Sequence, residues 1–160
     1  MKLSNGVEWA LHCCVTLSQS RDPVPATRLA ELHGTPPAYL AKHLQALSRA
    51  GVVRSTPGQV GGYALTRPAH AIPVLEVVRA VDGADPAYRC TELRQRGPIA
   101  VPAERCARPC AIARAMAAAE SAWAAALEGI TVADLAAAID ADSEGTAMAA
   151  VRGWLTADHG

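Results

Sequence analysis

The chain has 160 residues, 51% of them hydrophobic, and equal numbers of basic and acidic side chains. That suffices for one domain, or one domain with a helical extension, and no apolar run reaches the roughly 20 residues that a membrane-spanning helix needs. The opening MKLSNGVEWALH lacks the apolar stretch of a signal peptide, so a cytoplasmic protein with no membrane partner is expected.

The neutral total hides an uneven distribution. Residues 1–67 carry seven Lys/Arg against three Asp/Glu, and the remainder carries eight against twelve. A basic front half is what a polyanion-binding segment needs. Aromatic residues make up 4% and Phe is absent, so the core rests on Ala, Leu and Val, which suits close-packed helices. The five cysteines are an odd number, which argues against a disulfide framework. In a reducing compartment clustered thiols more often serve metal binding or redox chemistry.

A first helix is expected over residues 3–19, LSNGVEWALHCCVTLSQ, with Ser4 or Asn5 as cap and Val7, Leu11, Cys14 and Val15 as its apolar stripe. RDPVP breaks it. A short helix, ATRLAELHG, follows Pro25 and ends at Gly34. In TPPAYLAKHLQALSRAG, Thr35 reads as the N-cap, Pro36 as the first helical position and Gly51 as the stop, with Leu40, Leu44 and Leu47 buried. VVRSTPGQVGGYALTR reads as two short strands around a Pro/Gly turn. HAIPVLEVVRAVDG reads as another helix. The irregular CTELRQRGPIAVPAERCARPC then holds three of the five cysteines, Cys90, Cys106 and Cys110. CAIARAMAAAESAWAAALEG is a long Ala-rich helix and ITVADLAAAI a short one. The Ala/Gly-rich tail from Asp140 is weakly patterned and is expected to be mobile in part.

Three helices followed by a two-stranded ribbon give a fold that is mainly α with a small β-wing, a winged helix-turn-helix over residues 1–84. The third helix would enter a DNA major groove by its N-terminal end. The candidate contacts to DNA are Arg28, Thr35, Pro37, Tyr39, Lys42 and His43, together with Arg54, Gly61, Gly62 and Tyr63 of the wing. Wing glycines permit close approach to phosphates.

MKLSNGVEWALH, VPATRLAELHGTPPAYLAKHLQALSRAGVV, PGQVGGYALTR and VLEVVRAVDG together resemble the bacterial winged-helix repressors that include the iron–sulfur regulator IscR and the nitric-oxide sensor NsrR. The resemblance covers residues 1–135, and the chain is most similar to a redox-sensing member. It implies binding of operator DNA by a homodimer, whose dimerisation helix would lie in residues 110–139. It also implies an iron–sulfur cluster near the dimer interface, served by a cysteine loop at residues 85–109, and leaves residues 140–160 as a tail. The cysteine spacing departs from the family. Fifteen residues separate Cys90 from Cys106 and three separate Cys106 from Cys110, where the family's intervals are shorter and more even. Cys90, after the VRAVDG helix, and Cys110, opening the long helix, fit family positions; Cys106 fits none and is a rival ligand.

The family's nitric-oxide sensor places an acidic residue at the position of Glu8, reaching the cluster from the partner subunit. His12 lies four residues on, so the two side chains share one helical face. A [2Fe–2S] cluster is therefore expected in preference to [4Fe–4S], with Glu8 and His12 from one subunit and Cys90 and Cys110 from the other, since cysteine ligands can be replaced by nitrogen donors. Trp9, beside Glu8, is a candidate redox-coupled residue. Cys13 and Cys14 read as core thiols. The alternatives are a nitric-oxide-sensing [4Fe–4S] repressor, a metal-free thiol switch using Cys106 and Cys110, and a structural zinc site. An enzyme is not expected, because CxxxC is not a thioredoxin-like motif and no βαβ pattern accompanies it.

Overall fold

Seven α-helices and one two-stranded antiparallel sheet form the regular structure in the computed structural model, which describes residues 3–58 and 61–157. The helices are α1 (Asn5–Leu17), α2 (Ala26–Leu32), α3 (Pro37–Arg49), α4 (Val74–Asp82), α5 (Ala111–Glu128), α6 (Val132–Asp142) and α7 (Ala147–Thr156). The strands are β1 (Val53–Thr56) and β2 (Gly62–Leu65). The fold is thus mainly helical with a small wing. The wing-tip residues Gln59 and Val60 lie outside the described residues. Two compact units emerge: residues 85–126, and residues 3–84 together with 127–157.

In the larger unit, apolar side chains at helical spacing close a single core. Leu40, Leu44 and Leu47 of α3 are each at most 1% exposed. They meet Cys13, Cys14 and Leu17 of α1, Leu29 of α2, Val77 of α4 and Val132 of α6 in one cluster. Adjacent prolines shift the start of α3. Pro37 keeps Pro36 extended (ψ 124°), because a residue before proline is barred from the helical region. Thr35 therefore precedes the cap instead of forming it. Its amide closes the turn on the Ala30 carbonyl at 2.9 Å. Gly34, at φ +59°, supplies the left-handed residue that ends α2. The same effect holds Ile72 extended before Pro73, so α4 begins at Val74 and not within HAIP.

The wing pairs Val53 with Leu65 and Thr56 with Gly62. The α1–α2 connection adds a bridge to β2, since Val24 and Tyr63 exchange N–H···O bonds of 2.9 and 2.8 Å. A Cβ on Gly62 would lie 2.4 Å from the Val24 backbone, and one on Gly61 would lie 2.3 Å from the Thr56 carbonyl. Both glycines thus have a steric reason inside the hairpin. Ser4 occupies the N-cap of α1 but does not bond the helix. Its amide and hydroxyl both donate to the Asp82 carboxylate at the end of α4.

The tail needs a correction. Residues 147–156 form α7 in place of a weakly patterned segment. Met148, Val151 and Leu155 recur at helical spacing within an Ala/Gly-rich composition and pack on the core. The Asp140 carboxylate receives the Met148 amide at 2.9 Å. Helix α6 also runs past the expected Ile139 to Asp142, started by a reciprocal capping box between Thr131 and Asp134. In contrast, α5 buries no residue, and its Ile112 is 64% exposed. Among the described residues no helix is long and apolar enough to cross a membrane.

Candidate functional site

The unit of residues 85–126 brings two of its three cysteines together. Cys90 and Cys110 line one cavity of about 550 Å³ with Tyr88, Arg94 and Ile112, close enough for Cys90 to favour the Cys110 thiolate. Cys110 precedes the first turn of α5, so its sulfur accepts the Ala113 amide at 3.3 Å. That amide above all, followed by Cys90, the Ile112 amide and the Arg94 guanidinium, lowers the thiol's pKa against a smaller opposing effect of desolvation. Cys106 turns away, its sulfur 3.9 Å from the Val101 carbonyl. All five cysteines are free thiols.

Arg94 secures this geometry. Its guanidinium donates to the carbonyl oxygens of Cys106 and Arg108 and to the Glu92 carboxylate. The bond to Arg94 holds the Glu92 carboxyl below its usual range. Glu92 in turn accepts the Cys90 thiol at 3.8 Å. One side chain thus ties the segment after Cys90 to the segment before Cys110. Sequence reasoning missed Arg94, because an irregular loop offers no periodicity to mark one arginine among several.

Helix α1 presents Glu8 and His12 together. Both are exposed, and both border an apolar groove of about 510 Å³ lined by Val7, Leu11, Leu135 and Ile139. The His12 ring lies 5.7 Å from that of His33, which shares a 3.1 Å hydrogen bond with Thr16. On the opposite side of α1, Cys13 and Cys14 are fully buried; burial pushes the Cys13 thiol up to about 12 and the Cys14 thiol higher still. These two are core residues. Among the described residues no three His, Cys, Asp or Glu gather to hold a metal ion. The chain offers a thiol pair and a carboxylate–imidazole pair separately. Thiolates and imidazoles are both donors that iron–sulfur clusters accept.

The DNA-facing candidates divide. Pro37, Tyr39 and Lys42 on α3 and Arg54 on β1 are exposed. His43 is not: at 8% exposure it packs under Gly6, where a Cβ would lie 2.2 Å from the ring. Burial first, and the Lys42 charge second, lower the His43 pKa. The Thr35 hydroxyl is buried without a partner. Tyr63 packs against the core. Arg28 faces inward, with its guanidinium 4.3 Å over the Trp154 ring and Nη2 donating to the Trp154 carbonyl. His43 and Arg28 are thus engaged within the fold, and the Thr35 hydroxyl is covered. Helical position alone cannot separate a recognition face from a flank that a neighbouring helix covers.

Trp9 links the two faces. Its ring meets Tyr39 edge-on at 5.1 Å and His43 at 6.1 Å, and Tyr39 meets His43 at 5.2 Å. The residue beside Glu8 is thus in direct contact with the exposed side of α3.

Comparison with known proteins gives this geometry its frame. IscR of Vibrio campbellii is 35% identical over 92 residues, covering 56% of this chain and 55% of that protein. The chain spans between 55% and 62% of the length of the curated relatives it matches first. Among solved structures, CymR of B. subtilis, described as its global cysteine regulator, superposes with a TM-score of 0.62 at 24% identity, over 86% of this chain and 97% of that one. IscR of T. potens superposes with a TM-score of 0.63 at 22% identity, over 90% of each chain. Residues 3–138 match the Rrf2 family, described as iron-dependent transcriptional regulators. With a winged helix-turn-helix and that match over most of its length, the chain belongs to the Rrf2 family of transcriptional regulators, not to a family of enzymes.

Proposed function

We propose that the chain is a homodimeric, DNA-binding repressor that senses redox state through a [2Fe–2S] cluster, held by Glu8 and His12 of one subunit with the partner subunit's Cys90 and the partner subunit's Cys110. The observation that carries this reading is that Cys90 and Cys110 line one cavity, while no group of three potential ligands among the described residues is placed to hold a metal ion. Such a pair is half of a ligand set, and α1 carries a complementary half. Bound there, the cluster would supply reversible one-electron chemistry, tuned by the imidazole in place of a thiolate.

The chain's own residues do the rest. The α5 amides favour the Cys110 thiolate, and Arg94 fixes the loop that carries both sulfurs. A one-unit change in charge beside Glu8 acts more strongly the more a dimer interface excludes water from it. Trp9, packed on Tyr39, passes a shift of α1 to the recognition helix. Lys42 and Arg54 supply the cationic contacts to the operator backbone.

The test uses DNA selected by the anaerobically purified dimer from a random-sequence pool. Fluorescence anisotropy on the selected operator should show affinities at least tenfold apart between the oxidised and reduced protein. Equal affinities in both states would contradict redox sensing, and a response to nitric oxide alone would favour the [4Fe–4S] reading. A second reading follows from the Cys90–Cys110 contact itself. A peroxide could oxidise the two thiols to a disulfide, with loss of two protons and two electrons and release of water. That switch would keep its response after iron chelation, and the cluster reading would lose it.

A further inference from the structure

Helix α7 lies beyond the residues that match the family, which end at 138, yet it builds a cavity with the DNA-binding unit. This cavity of about 520 Å³ opens between the α1–α2 connection and α7. Three arginines, Arg21, Arg28 and Arg152, line it against a single carboxylate, Asp22. Among the described residues none of these four groups forms an ion pair. Two of the guanidiniums are fixed by neutral partners. Arg28 Nη2 donates to the Trp154 carbonyl at 2.8 Å, and Arg152 Nη1 donates to Gln19 Oε1 at 2.7 Å. Stacking on Trp154 holds the Arg28 plane. Fixed, unneutralised guanidiniums around a concave space form a site for an anion with oxygen acceptors.

The position of the cavity narrows the ligand. Val24, on its wall, is bridged to Tyr63 at the foot of the wing. An anion bound there lies beside β2, the strand paired with the one that carries Arg54. We infer that this cavity is a phosphate site, and that its occupant is a backbone phosphodiester of the operator flanking the wing, with Arg152 of α7 and Arg21 as the contacting cations. The inference rests on the DNA-binding reading above. It adds to that reading a contact from a helix outside the matched family region.

The test is Arg152→Gln and Arg21→Gln in the full-length dimer. Arg28 is left intact because it anchors α7. Each variant should weaken binding to every DNA sequence by a similar factor, between about threefold and tenfold at moderate salt. Each should also reduce the salt slope of log K by about 0.9, the value for one phosphate contact. Circular dichroism and urea midpoints should match the parent. In parallel, backbone amide and arginine side-chain NMR shifts are followed as inorganic phosphate, then a nucleoside monophosphate, is added without DNA. If the parent binds DNA and both variants keep its affinity and slope, and phosphate moves none of these resonances, the inference is overturned while the DNA-binding reading stands. If the parent binds no DNA yet phosphate shifts Arg21 and Arg152 and the variants abolish this, the functional reading fails and the phosphate site stands with a free ligand.

Discussion

At the residue scale, single atoms decide which side chains are free to act. Gly6 is glycine because the His43 ring fills the space a Cβ would take, at 2.2 Å. Gly6→Ala should destabilise the chain by roughly 1–3 kcal/mol through overpacking and disturb the Trp9–Tyr39–His43 contacts. Urea unfolding followed by tryptophan fluorescence would measure both effects, and an unchanged midpoint would contradict the packing. The thiols sort in the same way. In metal-free protein Cys90, Cys106 and Cys110 should alkylate readily, with Cys110 fastest, because only accessible thiolate reacts. Cys13 and Cys14, both at 0% exposure with raised pKa values, should label only on unfolding. Peptide mapping after timed alkylation checks the order. Cys13 and Cys14 were legible as core thiols because they continue the apolar face of a helix. Burial of His43 was not legible, since it depends on the close approach of Gly6 from another helix. The inward turn of Arg28 was equally hidden, because its partner Trp154 lies 126 residues away.

At the element scale, local rules set most boundaries and proline overrode them twice. Gly34 and Gly51 end α2 and α3 as their type suggests, both with positive φ. Thr35 looked like a cap, but Pro37 made Pro36 extended and moved the helix start by one residue. Helix α7 was illegible for a different reason. Its apolar stripe is three residues long among alanines, and it gains stability only by packing on a finished core. Where capping is explicit, it makes a sharp prediction. Thr131→Ala removes the side-chain half of the α6 capping box and should lower stability by about 1 kcal/mol. Differential scanning calorimetry at fixed pH would register a lower Tm; no shift would mean that the box contributes nothing net. The contact of α6 with α1 lies beside the groove at Glu8 and His12, so the same change should also weaken cluster retention under the proposed reading.

At the scale of the whole molecule, the proposed reading requires a dimer. Helix α5 buries none of its residues, and Ile112 and Met116 are 64% and 42% exposed. Under the proposed reading this apolar helix face meets a second copy. Ile112→Glu combined with Met116→Glu should yield a monomer by sedimentation velocity, and a persisting dimer would place the interface elsewhere. The family frame was legible because its signals are local and contiguous. The proposed donor set stands in the chain only as two separate halves, because one chain holds a thiol pair and a carboxylate–imidazole pair apart. That joining is the central claim, and a mixed dimer tests it. One chain carries Glu8→Ala and His12→Ala, and the other carries Cys90→Ala and Cys110→Ala. Native mass spectrometry of the purified anaerobic heterodimer should find one [2Fe–2S] unit, assembled from the intact half of each chain. A heterodimer with no cluster, beside a parent dimer that holds two, would show that each subunit supplies its own ligands and would contradict the account.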